Sequence, residues 1–381
     1  MTEVWIGGVG VIPFGRHTDR GIVSMGAEAA RLALRDAGVR PRDVQAGFFA
    51  NVLAQRLFGD ITVGQDVLSE VGVCGVPIVN IENACTSGSS AFFLAVEAIR
   101  GGRADVALVV GAEKLCVPQL GLLNGGETTI ETQLGAVVPA SFALRAQRHM
   151  HEFGTTPRQL AMVSVKNRRH AGLNPIAMYR EPITVEQVLA SPMIADPLTR
   201  LQSCPNADGA AAIVLLSEEA ARRYGASVRV AAAALVTGLY PPTPDLARWE
   251  TDYRGARLAY EAAGVEPADV DLVECHDAFS IGEILHCEAL GLCAPGEGGV
   301  LVERGETALG GRVPVNPSGG LLSRGHPLGA TAVAQIVEVT HQLRGQAGPR
   351  QVENARIGVA QCMGADKDGD AKTCTVAILS N

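Results

Sequence analysis

A fifteen-residue segment occurs twice in this 381-residue chain, and the repeat limits the available folds more than any other feature. Residues 30–44 read ARLALRDAGVRPRDV and residues 256–270 read ARLAYEAAGVEPADV, with ten of fifteen positions identical at an offset of 226. Each copy predicts an amphipathic helix that ends at a glycine, then a turn that begins at a proline, then a strand. Two copies are too few for a solenoid, so the repeat indicates a fold of two similar halves.

Strand-like segments lie at corresponding positions around the two copies. Val4–Val11 and Val228–Thr237 precede the copies, and the apolar runs Ala46–Val52 and Val270–Cys275 follow them. Alternating strands and helices predict an α/β fold with two βαβαβ-type halves. Such halves are expected to contain mostly parallel sheets that are buried on both faces.

Polar residues with scattered prolines, at about 115–200, interrupt the pattern of the first half. We interpret them as an inserted lid or loop region, after which Ala207–Leu216 resumes the core as a strand. The chain is therefore predicted to have an N-terminal half at residues 1–225 and a C-terminal half at residues 226–381.

Composition and charge exclude several classes of function. Hydrophobic residues make up 47% of the chain and charged residues 19%, which is typical of a globular protein. The net charge of −8 comes without a long basic run, which argues against binding of nucleic acid or an anionic membrane. No apolar run is long enough to span a bilayer, and the N-terminus has no signal-peptide pattern, so a cytoplasmic location is expected.

The chain has nine cysteines, an odd number, and none of them forms a C-x-x-C pair. This pattern indicates reduced thiols and argues against a disulfide framework. Cys85 lies in N-A-C-T-S-G-S-S-A, directly before an alanine-rich helical pattern. A helix N-terminus lowers the pKa of a thiol and favours the nucleophilic thiolate. Cys85 is therefore either a nucleophile or a buried thiol in a tight turn.

Three further positions carry side chains suited to catalysis. His326, in S-R-G-H-P-L-G-A-T, is held between a glycine and a proline, which suits a general base as well as a helix-capping residue. His276, in E-C-H-D-A-F, follows a strand and is expected to face a crevice, or else to hydrogen-bond Asp277. Cys362, in Q-C-M-G, also follows a strand and by itself indicates only a buried thiol.

Together the four motifs resemble those of the thiolase superfamily. N-A-C-T-S-G-S-S-A is similar to the segment that carries the family's acylated cysteine, G-H-P to its catalytic histidine motif, and C-M-G to its C-x-G cysteine motif. H-D-A-F stands where common thiolases have N-E-A-F and is similar to the H-D-C-F of the branch related to sterol-carrier-protein thiolases. The resemblance covers essentially the whole chain and implies a duplicated thiolase-like fold with a layered αβαβα core.

The resemblance also implies an activity, that of an acetyl-CoA acetyltransferase-like enzyme which cleaves or forms a 3-oxoacyl-CoA through an acyl-Cys85 intermediate. His326 would take the proton of Cys85, and His276 and His326 would hydrogen-bond the enolate oxygen. Cys362 would give a proton to the leaving carbon and then take one from coenzyme A. Backbone N–H groups of Cys85 and Gly364 would form an oxyanion hole. Coenzyme A would be a substrate, with no bound cofactor and no metal.

Further expectations concern ligands and partners. Lys166, Arg168 and Arg169 are candidates for contacts with coenzyme A, or else form a solvated charge cluster on the lid. The family's glycine run after C-x-G is replaced by A-D-K-D-G-D at residues 365–370, so the acyl pocket is expected to be reshaped. The resemblance implies a homodimer or higher oligomer, and a small zinc-ribbon/OB-fold partner subunit as in members of the same branch.

Three alternative functions stay open at this point. Ketoacyl synthases share a Cys-His-His set but lack the C-x-G cysteine, so Cys362 favours a thiolase. Thiolase-like aldolases need no acylated cysteine, and the presence of both Cys85 and Cys362 argues against one. A non-catalytic acyl-CoA or lipid-carrier subunit would not require the four residues. The sequence selects neither the acyl chain, whether linear, branched, aromatic or steroidal, nor the direction of the reaction.

Overall fold

The computed structural model describes residues 2–120, 130–240 and 243–381, without the side chain of Glu131. Its strands are β1 Val4–Val11, β2 Ala46–Ala50, β3 Ile78–Ile81, β4 Val106–Glu113, β5 Met193–Ala195, β6 Leu198–Thr199, β7 Gly209–Ser217, β8 Val228–Thr237, β9 Leu272–Glu274, β10 Ile357–Lys367 and β11 Asp370–Ser380. Its helices are α1 Ile22–Ala37, α2 Ala54–Phe58, α3 Val63–Glu70, α4 Ser87–Arg100, α5 Ile130–Gln133, α6 Val138–Phe153, α7 Pro157–Gly172, α8 Val185–Ala190, α9 Glu218–Tyr224, α10 Glu250–Ala263, α11 Ser280–Ala289, α12 Gly298–Glu303, α13 Gly320–Arg324 and α14 Leu328–Leu343.

The repeated segment forms the same local structure in both halves. Helices α1 and α10 end at Gly38 and Gly264, whose φ angles of 64° and 69° lie in the left-handed region that glycine adopts without steric cost. A single 3₁₀ turn that begins at a proline follows each helix and leads to β2 or β9. The prediction of helix, turn and strand from the repeat is confirmed.

Nine strands form one sheet in the order β3-β2-β4-β7-β1-β8-β11-β10-β9. Within this sheet the two halves join at β1 and β8, which among the described residues pair at Trp5–Arg229 and Ile6–Val228. Only β3–β2, β2–β4 and β10–β9 are parallel pairs, and the other five are antiparallel. The expectation of mostly parallel sheets is therefore wrong. Strand β7 runs antiparallel to its neighbours β4 and β1, and β11 runs antiparallel to its neighbours β8 and β10.

The layers are α/β/α/β/α, with both halves contributing to the central one. Helices α4 and α14 share a buried apolar cluster with strands of both halves. Helices α1 and α3 cover the opposite face of the N-terminal strands, and α10 and α11 cover that of the C-terminal strands. Because α4 begins just after Cys85 and α14 just after His326, the central layer brings two candidate catalytic motifs together.

The region at about 115–200, predicted as an inserted lid or loop region, is largely helical where it is described. It contains α5, α6, α7, α8 and the short hairpin β5–β6, while residues 121–129 lie outside the described part. Helix α7 begins with a capping box formed by Thr156 and Gln159. The boundary of the two halves at residue 225 stays our proposal. No helix among the described residues is long and apolar enough to cross a membrane.

Candidate active site

Cys85 lies in a tight turn between β3 and α4. The residue before it, Ala84, has a φ of 48°, and the Asn83 backbone N–H donates to the Ser87 hydroxyl at 2.7 Å. The Ser87 hydroxyl in turn donates to the Ala84 carbonyl at 2.6 Å. These bonds fix the backbone so that the partly buried Cys85 thiol projects beside the first turn of α4.

Burial raises the pKa of the Cys85 thiol to about 12, and the negative charge of Glu113 adds to the rise. Backbone N–H groups of Cys85 and Ala365 oppose this effect only in part. The lower pKa expected from the helix N-terminus is therefore wrong in direction. The loss of water around the sulfur outweighs the helix field, so Cys85 needs a base at the moment of attack.

His326 is held in a defined orientation by Thr331. The Thr331 hydroxyl donates to the Pro327 carbonyl at 2.9 Å, so it accepts from the His326 Nδ1–H at 2.8 Å. This arrangement leaves the Nε2 lone pair of the neutral imidazole available for a proton. Burial, with a contribution from Arg324, lowers the pKa of His326 to about 3, so the ring is neutral at physiological pH.

His276 follows β9 and is buried with both ring nitrogens unpartnered among the described residues. Burial first, and then the neighbouring His326 and His286, lower its pKa well below the usual value. A neutral imidazole carries one N–H donor, and a buried donor without a partner is costly. The ring is therefore ready to donate to an oxygen that a ligand brings.

The three side chains meet at one point. The Cys85 Sγ and one ring nitrogen each of His276 and His326 all lie within 4.8 Å of one another. The two imidazole rings are 5.2 Å apart and nearly perpendicular, at 77°. Such donors also suit zinc, so the expected absence of a metal stays a prediction.

Cys362, on β10, contacts the backbone of Cys85. Its thiol donates to the Cys85 carbonyl at 3.2 Å, and burial raises its pKa well above the usual value. A Cβ at Gly364 would lie 3.1 Å from the Cys85 backbone nitrogen, so only glycine permits this approach without a shift. The structure therefore brings the side chains of Cys85, His276 and His326 together and places the buried Cys362 thiol and Gly364 against the Cys85 backbone.

A cavity of about 1440 Å³ opens onto this site. Leu53, Leu115, Leu120 and Leu328 form a buried apolar cluster against which Cys85 packs, and all four also line the cavity. Exposed cationic side chains line it as well, namely Arg16, Arg56, Arg200 and Lys367. The cavity therefore offers apolar surface beside the thiol together with cations exposed to solvent.

Family models match both halves of the chain. The model "Thiolase, N-terminal domain" matches residues 5–219, and "Thiolase C-terminal domain-like" matches residues 242–381. The chain belongs to the thiolase family. It is an enzyme of that family, which agrees with the resemblance drawn from its four motifs.

Relatives that align with nearly the whole chain support its assignment to the thiolase family. It is 40% identical to the acetyl-CoA acetyltransferase of Methanothermobacter thermautotrophicus, with all of both chains covered. It is 41% identical to the benzoylsuccinyl-CoA thiolase subunit BbsB of Thauera aromatica, over 92% of this chain and 91% of the relative. It is 36% identical to human sterol carrier protein 2, over 96% of this chain and 70% of the relative.

Solved structures share the fold. An Ltp2-ChsH2(DUF35) aldolase superposes with a TM-score of 0.83 at 23% identity, covering 99% of this chain and 97% of the other. Human mitochondrial 3-ketoacyl-CoA thiolase superposes with a TM-score of 0.76 at 19% identity, covering 100% and 99%. At these identities the likeness establishes the fold alone.

Lys166, one of the cations predicted to contact coenzyme A, does not line the cavity of the thiolase. The Lys166 ammonium is buried, 3.0 Å from the Glu283 carboxylate and 2.6 Å from the Val315 carbonyl. It balances a buried acid, so a coenzyme A contact for Lys166 does not fit. Arg169 is exposed on the same helix and is not part of the cavity wall, whereas Arg168 is.

Sequence reasoning missed the residues that hold the catalytic loops. Glu113, at the end of β4, accepts from the backbone N–H groups of Gly329 and Val52, each at 3.0 Å. It thereby fixes the loop that follows His326. His286 bridges the Asp252 carboxylate, at 2.6 Å, and the His276 carbonyl, at 3.0 Å. Glu113 at the end of β4 was the available signal, because Asp252 lies inside α10 and the partners of both residues are distant in sequence.

The residues that replace the glycine run are also anchored. Asp366 accepts from Arg145 at 3.4 Å and from the Trp249 indole N–H at 3.3 Å. Arg145 also donates to the Gly369 carbonyl at 2.6 Å. The β10–β11 hairpin is thus tied to α6, so this border of the cavity differs from a glycine-lined one.

These pKa shifts predict how the alkylation rate of Cys85 in the ligand-free thiolase depends on pH. Alkylation of Cys85 by iodoacetamide is expected to accelerate about tenfold per pH unit from roughly pH 7 to pH 10, without a plateau. Only the thiolate reacts, and with a pKa of about 12 its fraction grows throughout this range. His326, with a pKa of about 3, stays neutral over the same range and adds no step.

Timed alkylation followed by peptide mass spectrometry measures this rate, with the exposed Cys74 as an internal reference. A plateau for Cys85 below about pH 9 would indicate a preformed thiolate–imidazolium pair and contradict the neutral resting pair.

Proposed function

We propose that this thiolase cleaves or forms a 3-oxoacyl-CoA with coenzyme A through an acyl-Cys85 intermediate. The observation that carries the proposal is the convergence of the Cys85 thiol with His276 and His326 within 4.8 Å, with the Cys362 thiol 3.2 Å from the Cys85 carbonyl. A soft nucleophile, a base, an unpartnered donor and a second thiol are the groups that a two-step acyl transfer needs.

In the first step His326 takes the thiol proton, and the Cys85 sulfur attacks the keto carbon of the substrate. The carbon–carbon bond then breaks, and its electron pair moves into the enolate of the departing thioester. His276 and His326 would donate to the enolate oxygen, and Cys362 would give its proton to the carbon. Donors aimed at developing charge typically contribute about 3–4 kcal/mol each.

In the second step the Cys362 thiolate takes the proton of incoming coenzyme A. The coenzyme A sulfur attacks the acyl group on Cys85, and the Cys85 thiolate leaves and recovers its proton from His326. Backbone N–H groups of Cys85 and Gly364 would hold the oxyanion in both steps, supported by the close approach of Gly364 to the Cys85 nitrogen. No bound cofactor is required by this sequence of proton and acyl transfers.

Coenzyme A would enter through the mouth of the cavity, where exposed arginines suit its phosphates. Arg16, Arg56 and Arg200 line the cavity, and none has an acidic partner among the described residues. Arginine binds phosphate through a planar fork of N–H donors. The acyl chain would lie against the apolar cluster beside Cys85. The names of the relatives, an acetyltransferase and a benzoylsuccinyl-CoA thiolase subunit, support acyl-CoA substrates without fixing the chain.

Assembly is part of the proposal. A homodimer or higher oligomer is expected from the family resemblance, with the closed symmetry that is usual for homo-oligomers. The Thauera aromatica relative is named a subunit, which supports a second polypeptide for this chain. We propose that this partner is a small zinc-ribbon/OB-fold protein.

The test is direct detection of the intermediate. Incubation with a cleavable 3-oxoacyl-CoA without free coenzyme A should leave one acyl group on Cys85, because the second step has no acceptor. Intact-mass analysis and peptide mapping measure the adduct and its position, and added coenzyme A should remove it. An acyl group that maps to Cys204 or Cys362, or no adduct while substrate is cleaved, would refute the assignment.

A further inference from the structure

Arg168, on α7, is a buried cation in the wall of the catalytic cavity. Its residue surface is only 8% exposed, and it lines the cavity together with Cys85 and His326. Its Nε donates to the Ser323 hydroxyl at 3.1 Å, and its guanidinium lies 5.0 Å from the centre of the Tyr179 ring. No carboxylate of the described residues forms an ion pair with it.

The other buried arginines of the described chain each have an acidic partner. Arg145 is 3.4 Å from Asp366, Arg324 is 3.3 Å from Glu274, and Arg350 is 2.8 Å from Glu338. Burial lowers the pKa of Arg168, and only the neighbouring Tyr179 phenol opposes that effect, with no carboxylate among the causes. A buried charge without a counter-charge is costly, which indicates that an anion from a ligand completes this site.

The position of Arg168 selects the part of the ligand that supplies the anion. Ser323, which holds the Arg168 Nε, lies three residues before His326 and accepts at its carbonyl from the Tyr179 N–H at 2.9 Å. Arg168 is thus fixed to the loop that carries the base. The exposed arginines of the same cavity, unlike the buried Arg168, are open to solvent and suit the phosphates. Because the pantetheine arm keeps the phosphates far from the reacting thioester, the anion at Arg168 belongs to the acyl part.

We propose that Arg168 binds a carboxylate on the acyl chain, so that the enzyme acts on acidic 3-oxoacyl-CoA thioesters. This inference rests on the proposed thiolase function. The guanidinium fork matches the two oxygens of a carboxylate, and its Nε is held by the Ser323 hydroxyl. Arg168 acts as a specificity-determining residue and takes no part in the bond changes at Cys85.

The first test compares acidic and neutral substrates. Coenzyme A-dependent cleavage is measured for ω-carboxy 3-oxoacyl-CoA thioesters of several chain lengths and for their ω-methyl counterparts. Wild-type enzyme should prefer the acid at one length, and Arg168→Met should lower kcat/KM for that acid by about 10²-fold or more. The neutral counterpart should change by less than about threefold, which separates lost recognition from a damaged fold. Equal losses for acid and neutral substrates would overturn the proposal.

Two arms identify the anion and control for charge. Arg169→Met removes an exposed cation from the adjacent position outside the cavity wall and should leave the preference unchanged. N-acetylcysteamine thioesters carry the same acyl chains without phosphates, so the effect of Arg168→Met should persist with them. Loss of the effect with these thioesters would assign the anion to a coenzyme A phosphate and refute an acyl carboxylate.

A binding measurement keeps this inference separate from the proposed reaction. Titration calorimetry of Cys85→Ala enzyme with succinyl-, glutaryl- and adipyl-CoA, each against the neutral acyl-CoA of equal length, needs no turnover. At least one acid should bind about tenfold or more tightly than its neutral counterpart, and Arg168→Met should remove that difference. Equal affinities in all three pairs would refute the carboxylate site, whereas failure to cleave any thioester would refute only the thiolase function.

Discussion

Replacing Cys85 by alanine is expected to reduce coenzyme A-dependent cleavage of a 3-oxoacyl-CoA by about 10⁴-fold or more. The acyl group then has no sulfur to join, and water or coenzyme A must attack the ketone directly. His276 and His326 remain in place, but donors alone retain only a small part of the acceleration when the nucleophile is absent. The measurement is steady-state kcat/KM, with coenzyme A both present and omitted.

Cys204 offers a matched control for this variant. It lines the same cavity, and burial, with a contribution from the nearby Cys85, raises its pKa above the usual range. Cys204→Ala should therefore retain activity within several-fold of wild type, because the mechanism assigns it no proton or acyl transfer. The assignment would fail if Cys204→Ala abolished cleavage and Cys85→Ala preserved it while both variants kept the wild-type thermal unfolding midpoint.

The sequence predicted local structure better than strand direction. Val4–Val11 and Val228–Thr237 are strands with the expected bounds, because alternation and apolar content encode burial along a segment. The direction of a strand relative to its neighbour depends on how far the chain travels between the two strands. The long helical region between β4 and β7 returns β7 antiparallel, between β4 and β1. Nothing in the apolar pattern of β7 distinguishes that return from a parallel crossover.

The candidate site shows a similar division. The motifs predicted which side chains meet, since each lies at the end of a strand or the start of a helix that the fold places centrally. They did not predict the raised pKa of Cys85, which depends on burial by residues distant in sequence and on Glu113. Nor did they predict that Lys166 pairs with Glu283, 117 positions away, while its neighbour Arg168 has no acidic partner in the described structure. Side-chain charge is readable from sequence, but its partner is set by tertiary packing.

Replacing Cys362 by alanine is expected to slow both halves of the reaction by about 10²–10⁴-fold, the usual effect of removing a general acid–base group. In the proposed mechanism Cys362 gives a proton to carbon and later takes one from coenzyme A, a role supported by the 3.2 Å distance from its thiol to the Cys85 carbonyl. Attack by Cys85 on a reactive thioester should continue slowly, because His326 still accepts the thiol proton. Two rates measure this division: single-turnover acylation of Cys85, and exchange of labelled coenzyme A into the acyl-enzyme.

This variant also distinguishes the thiolase from the alternatives within its superfamily. A ketoacyl synthase or an aldolase has no step that uses a second thiol, so Cys362→Ala would leave either activity near wild type. Cys374→Ala, which removes the neighbouring buried thiol on β11, is the matched control and should keep label exchange within several-fold of wild type. Coenzyme A-dependent cleavage by Cys362→Ala at the wild-type rate would contradict the mechanism. Cleavage that needs no coenzyme A and releases a free ketone or aldehyde would establish an aldolase instead.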